Sequence, residues 1–352
     1  MTDERTWIGL TLAEMEAEFA AMGEKPFRGR QMADWIYKKG VDDTQQMSSF
    51  SLDLRSKLTE YGSVGMPSRI HVQESRRDPV WKALVAMQDN ALAECVLMRY
   101  SYGNSVCLST QIGCKMGCTF CASGSAGFLR NLTAGEILGQ LLVLRSLQTD
   151  MRVSHIVLMG MGEPLDNFDE VVKAMAIANA SWGFGIGYRH ITLSTAGFVP
   201  GIDRLRQLAL PINLSISLHA PNDAMRIPMM PIAASYPLKS LMAAAKRYVD
   251  VTHRRITYEY AMIDEVNDKA EHAEELAALL RGHLAHVNLI PINPIGSGGV
   301  RRSRPETINA FAEILQERGI EVTIRREMGS DISAACGQLR LRTMREREGI
   351  DG

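Results

Sequence analysis

Three cysteines fall within eight residues, in the run Cys114-Lys-Met-Gly-Cys118-Thr-Phe-Cys121. This C-x3-C-x2-C spacing offers three thiolates from one loop that directly follows a strand-like run. A structural zinc site closes on four ligands. Three ligands leave one metal position open, and soft thiolates suit iron-sulfur chemistry. A four-iron cluster held this way keeps one iron for a chelating substrate. On the residues alone two other readings stay open: a zinc site completed from elsewhere in the chain, or structural cysteines buried as small hydrophobes.

Other chemistry-bearing residues stand at the ends of candidate strands. Gly160-Met161-Gly162-Glu163-Pro164 closes one of them. Its missing side chains permit close backbone approach, and its carboxylate suits an ammonium group. Ser194, the run Ser217-Leu218-His219, and Asn293 each sit at or near the C-terminal end of another strand. That is the face on which barrel sites assemble, although each such residue taken singly is more often a satisfied polar group than a ligand.

These residues need a frame, and the sequence alternates in a way that supplies one. Strand-like runs occur at 105–111, 153–159, 189–195, 212–218, 256–263 and 286–292, with a further one at 321–326. Amphipathic stretches separate them near 133–147, 167–180, 200–209, 237–249, 267–281 and 305–318. Such alternation predicts parallel strands with crossover helices, hence an α/β barrel or partial barrel, and its six to seven units are fewer than the eight of a closed barrel. Thr133 and Glu136 have capping-box spacing, as do Thr11 and Glu14. Helical patterns to Met22, near 28–38 and at 51–60 make residues 1–62 a small helical accessory domain. Trp81–Met87 and Leu92–Tyr100, joined across Asp89-Asn90, read as a hairpin. The organisation expected is an accessory domain at 1–62, a linker and hairpin extension at 63–100, and the barrel with a C-terminal loop at 101–352.

The 352 residues carry 46% hydrophobic and 22% charged side chains, the balance of a folded globular chain. No run approaches the length that spans a bilayer, and the first residues lack a signal pattern, so a cytoplasmic protein without membrane partners is expected. A net charge of −1 gives no overall attraction to nucleic acid. Local clusters do: Lys25, Arg28, Arg30, Lys38 and Lys39 against Asp34; Arg301, Arg302 and Arg304; and Arg340, Arg342, Arg345 and Arg347. Trp35 and Tyr37 are candidates for stacking on a base, with core packing the commoner fate of such a tryptophan.

The three-cysteine spacing, with an aromatic residue before the last cysteine, resembles the radical S-adenosylmethionine (SAM) superfamily. More specifically, the chain resembles the RlmN family of RNA adenine-2 methyltransferases. The resemblance is carried by PFRGRQMADWIYKKGV at 26–41, NSVCLSTQIGCKMGCTFCASG at 104–124, MGMGEPLDNFDEV at 159–171, HITLSTAGFVP at 190–200, LSISLHAPND at 214–223, NLIPINP at 288–294 and DISAACGQL at 331–339. It implies an α/β partial (β/α)6 barrel with the cysteine loop after its first strand, a [4Fe-4S] cluster on Cys114, Cys118 and Cys121, and SAM at Gly162, Glu163, Ser194, Ser217, Leu218, His219 and Asn293.

Carbon 2 of adenine lies between two ring nitrogens and is electron-poor, so direct transfer from the SAM electrophile would join two electrophiles. The resemblance implies a carrier instead. Cys336 accepts a methyl group from one SAM, a radical from a second SAM removes hydrogen from it, and the methylene radical adds to carbon 2. Cys107 is then implied to attack the Cys336 sulfur, releasing the base and leaving a disulfide. Glu94 stands at the family's proton-acceptor position, with the Cys107 thiolate as the alternative base. Cys95 has no implied role and reads as a buried thiol.

The implied partners are 23S rRNA at the peptidyl transferase region, transfer RNA next to the anticodon, an electron donor such as flavodoxin or ferredoxin, and a thiol reductant. A monomer is the default. Two alternatives are kept: the Cfr relatives, which methylate carbon 8 of the same adenosine with the same cysteines, and a non-catalytic RNA-binding protein with structural zinc. The residues 1–60 are expected to be removable without loss of SAM cleavage.

Overall fold

The computed structural model describes residues 5–125, 127–148, 151–292, 301–329, 331–332, 339–340 and 343. Twelve strands are present among them: β1 Ser68–Glu74, β2 Val80–Ala86, β3 Leu92–Tyr100, β4 Gly103–Cys107, β5 Gln111–Gly113, β6 Phe128–Asn131, β7 Val153–Leu158, β8 Ile191–Thr195, β9 Asn213–Ser217, β10 Ile256–Met262, β11 Ala285–Pro291 and β12 Glu321–Ile324. Ten of them form one sheet in the order β1-β2-β3-β4-β7-β8-β9-β10-β11-β12. From β4 to β12 every neighbouring pair is parallel, whereas β1 to β4 run antiparallel. The α/β arrangement of parallel strands expected from the alternation is therefore present, extended on one side by a three-stranded meander.

Local chemistry explains where the helices start. Both capping boxes form: Thr11 with Glu14 opens the helix Leu12–Ala21, and Thr133 with Glu136 opens Ala134–Ser146. Each satisfies two N–H groups that the first turn leaves without intrahelical partners. Pro305 begins Pro305–Glu317, where the missing N–H of proline costs nothing. Asn90 takes a left-handed conformation, φ 63°, in the turn between β2 and β3.

The helical N-terminal segment does not stand apart. Trp7, Met15, Phe19 and Tyr37 are fully buried and belong to the same apolar cluster as Leu138, Leu141 and the outer faces of β2 and β3. Fully burying side chains of this size stabilises by about 1.5–3 kcal/mol each. Deleting residues 1–60 would open this shared core, so the truncation expected above to be benign removes part of the barrel's support. Tyr37 also lies out of reach of RNA: its ring packs on Trp182 and Phe184, and its hydroxyl accepts from Gly9 N–H and donates to the Leu10 carbonyl. Trp35 is only half-buried, and the Lys39 ammonium sits 3.4 Å above its ring. No helix among the described residues is long and apolar enough to cross a membrane.

Candidate active site

The run read as one strand at 105–111 is broken. After Cys107 the chain leaves β4, because Leu108 and Thr110 N–H bond to the carbonyls of Val157 and Met161, and Gly160 N–H returns a bond to Leu108. The chain then turns into the small β5–β6 ribbon, whose two strands grip the base of the cysteine loop. Gly113 is required there. Its φ is +79°, and a Cβ would lie 1.8 Å from the Gly127 carbonyl oxygen. Beyond it, Cys114 N–H bonds to Gly127 O, and Thr119 N–H bonds to Met229 O on the opposite rim.

Cys114, Cys118 and Cys121 all line one cavity of about 390 Å3 at the C-terminal ends of the parallel strands. Gly162 and Glu163 after β7, Ser194 on β8, Ser217 on β9 and His219 just past β9 line the same space. Gly162 has φ +107°, and its missing Cβ leaves room for the Gln111 side chain. Leu218 differs: its side chain is wholly buried in the core, its N–H bonds to Glu259 O, and its carbonyl accepts from Arg226. It has backbone alone to offer. Asn293 and Cys336 lie outside the described residues.

His219 is held in one tautomer. Its Nδ1 accepts from Ala261 N–H at 3.0 Å, which leaves the proton on Nε2. Burial, and then the charge of Arg226, push its pKa down to about 3, so the ring is neutral. Its edge meets Phe120, the aromatic residue before Cys121, at 4.9 Å between centroids. Glu163 is turned into the protein: Oε2 accepts from Ala196 N–H at 2.7 Å and Oε1 from Leu165 N–H at 3.1 Å. It ties the loop after β7 to the end of β8, and burial lifts its pKa to about 7.

A raised carboxylate pKa means that the folded state holds its proton after the unfolded state has lost it. Stability is thus greatest below the unfolded value near 4.5 and falls as pH rises towards 7. In cluster-free protein, unfolding free energy should drop between pH 5 and pH 8 by about 2–3 kcal/mol more than in Glu163→Gln, measured by denaturant titration at both pH values. Equal pH slopes for the two proteins would remove Glu163 as the source.

Several site residues carried no signal in sequence. Arg226, on the short helix Asp223–Met229, clamps the carbonyls of Leu218, Ala196 and Ser217. Gln111 accepts from Glu163 N–H and donates to Asp166 and Asn131. Asn267 bridges His219 O, Ala261 O and Ile263 N–H. Arg226 and Asn267 bond to backbone, and Gln111 to backbone and to side chains far along the chain, which no residue spacing announces.

The donor set fits an iron-sulfur cluster. Among the described residues no three His, Cys, Asp or Glu converge as ligands of a single ion, whereas a cluster takes each thiolate on a separate iron. Burial pushes the Cys114 and Cys118 thiols up to about 12, so an uncompensated thiolate is disfavoured and a bound cation would draw it out. Arg226 Nη1 is buried without an acceptor among the described residues, and its charge acts on Cys118. That N–H suits a sulfur-rich neighbour.

Cys107 and Glu94 lie on the inner face of the sheet. Val96 pairs with Cys107 across β3 and β4, so Glu94, two residues along β3, is the diagonal neighbour of Cys107, about 7–8 Å away between Cα atoms. Cys107 packs with Val80, Val96, Met98 and Met159, which also line the cavity or its wall. Cys95 points the other way and is buried against the Ala134–Ser146 helix. No disulfide joins two cysteines among the described residues.

Residues 7–64 match the ribosomal RNA large subunit methyltransferase N-terminal domain, and residues 108–280 match the radical SAM superfamily. The chain is 49% identical over 343 residues to a probable dual-specificity RNA methyltransferase RlmN of Symbiobacterium thermophilum, covering 97% of this chain and 92% of that one. A Clostridium perfringens protein of the same description is 48% identical, covering 95% and 96%. The crystal structure of a radical SAM methyltransferase from Sphaerobacter thermophilus superposes with a TM-score of 0.91 at 42% identity, covering 94% of this chain and 97% of that chain.

Proposed function

The chain belongs to the RlmN family of radical SAM RNA methyltransferases, and from that membership we propose that it methylates carbon 2 of an adenosine in the peptidyl transferase region of 23S rRNA, and of the adenosine next to the anticodon in some transfer RNAs. The observation that carries this reading is that the three-thiol loop and the strand-end residues Gly162, Glu163, Ser194, Ser217 and His219 share one cavity, with Cys107 and Glu94 on the adjoining sheet face.

Cys114, Cys118 and Cys121 would hold the [4Fe-4S] cluster, and Gly162, Glu163, Ser194, Ser217, His219, the Leu218 backbone and Asn293 would hold SAM, two per turnover; together these groups supply a methyl group and a hydrogen-abstracting radical. The Cys336 thiolate accepts the methyl group. Its S-methyl carbon, after losing a hydrogen atom, bonds to carbon 2 of the base. Glu94 or Cys107 takes the proton from carbon 2, and the adduct gives up its unpaired electron, which the cluster on Cys114, Cys118 and Cys121 would accept. The Cys107 thiolate then attacks the Cys336 sulfur, the carbon–sulfur bond breaks with its electron pair on the methylene carbon, and that carbon takes up a proton to become the methyl group. The resulting Cys107–Cys336 disulfide is opened by a thiol reductant, and a flavodoxin or ferredoxin serves as electron donor. In this reading the protein is a cytoplasmic monomer.

RNA is gripped away from the chemistry. Arg30, Lys38, Lys39 and Trp35 line a surface groove on the 1–62 segment, with Trp182 of the barrel, and we assign backbone contact to them. Arg301 and Arg302 are less available, being paired with Asp264, Glu265 and Glu327. Arg340 is buried.

The test is the modified nucleoside. Anaerobically reconstituted protein, incubated with SAM, reductant and a 23S rRNA fragment, should yield 2-methyladenosine by mass spectrometry of the digest. Detection of 8-methyladenosine would place the chain with the Cfr relatives, and a colourless, iron-free preparation would favour the zinc-binding alternative.

A further inference from the structure

The inner face of β2 and β3 is apolar except for one ion pair. Lys82 is fully buried and its Nζ lies 2.7 Å from Glu94 Oε2, itself 3% exposed. The other carboxylate oxygen, Oε1, accepts the backbone N–H of Arg340 at 2.5 Å, across 246 residues of sequence. Around the pair, Leu84, Ala86 and Leu92 pack with Leu339. The neighbouring cluster of Val80, Val96 and Cys107 receives Met328 and Ile332. Upstream, Asp331 accepts from Ser75 Oγ and Arg76 N–H, and Gly329 N–H donates to Asp78. The chain is thus fastened to the meander on both sides of residues 333–338.

A charge pair is an expensive way to fill such a wall, because two ions are desolvated where two leucines would pack. What an apolar pair would lack is an acceptor for the Arg340 N–H, which is buried and would otherwise go unmet. We propose that Lys82 is a positioning residue: by fixing the Glu94 carboxylate it docks the segment at Leu339–Arg340 on the inner face, against Leu84 and Leu92. The docking stands on contacts alone. Its catalytic consequence, that the dock aims Cys336 at the site, rests on the reading of Cys336 as methyl carrier given above.

The experiment uses full-length, cluster-loaded protein. In Lys82→Met, hydrogen exchange of peptides covering 339–343 should accelerate by roughly ten- to a hundredfold while the barrel helices keep their protection. Methyl incorporation on Cys336, read by peptide mass after incubation with SAM, should slow by a similar factor. Since Lys82→Met takes the buried ammonium away from the Glu94 carboxylate, the variant Lys82→Leu/Glu94→Leu removes both charges and supplies a wall that packs. It should melt near the wild-type temperature yet show the same unprotected 339–343 segment. Wild-type protection of that segment in either folded variant overturns the proposal. A wild-type enzyme that never carries methyl on Cys336 would instead defeat the carrier reading and leave the docking result standing.

Discussion

Cys114→Ala, Cys118→Ala and Cys121→Ala should each emerge from anaerobic reconstitution without the visible absorbance of an iron-sulfur protein, with iron at background and with no 5′-deoxyadenosine formed from SAM. The expectation follows from the way the loop is built. The three thiols come from one short turn fastened at its base by the β5–β6 ribbon and by Cys114 N–H to Gly127. No fourth cysteine lines that cavity among the described residues. Two thiolates are too few to hold the cluster, since such clusters are bound through cysteine at each fixed iron. The fold should survive: all three cysteines are only half-buried, so each substitution should cost no more than about 1 kcal/mol. Circular dichroism therefore separates cluster loss from unfolding. A variant that kept full iron and SAM cleavage would sink the assignment of all three.

How far this site could be read from sequence differs from one residue to the next, for physical reasons. The cysteine loop and the strand-end positions are legible because ligands from one loop have fixed spacing, and because parallel strands deliver their C-terminal ends to a common face. Both capping boxes are legible because they are contacts between residues three apart. The break after Cys107 is not, since apolar alternation runs on past it and the cause is hydrogen bonding to a strand some fifty residues away. Arg226 carries no signal in sequence, yet it is 1% exposed, because its partners are three backbone carbonyls. Lys82 and Glu94 read as single charges on two strands of a hairpin. Only the register that sets Lys82 opposite Val96 and Glu94 opposite Leu84 brings them to one face.

The register also bears on the two lone cysteines. Cys107 is at the last position of β4, on the inner face with Glu94 and under the wall formed by Val80, Val96 and Met98. The chain leading to Cys336 comes onto that wall at Ile332 and is held again at Arg340. If Cys336 carries the methylene group and Cys107 releases it, the two substitutions have opposite products. Cys107→Ala still accepts a methyl group on Cys336 and still bonds to the base, but nothing attacks the sulfur to break the carbon–sulfur link. Protein joined covalently to RNA should accumulate towards one adduct per active chain, with methylated adenosine near zero. Cys336→Ala has no carrier sulfur, so neither adduct nor methylated base should form, even with iron content intact. Cys107 is 8% exposed and small, and its loss should cost about 1 kcal/mol, too little to unfold the barrel. Both variants are incubated anaerobically with SAM, reductant and the 23S rRNA fragment, then separated on a denaturing gel without thiol. An RNA adduct in Cys336→Ala, or multiple turnovers in Cys107→Ala, would reverse or abolish the roles assigned to these two residues. Adding thiol to the Cys107→Ala adduct gives the last control: a thioether survives reduction and a disulfide does not, so a band that persists identifies the link as carbon–sulfur and places the block at the release step.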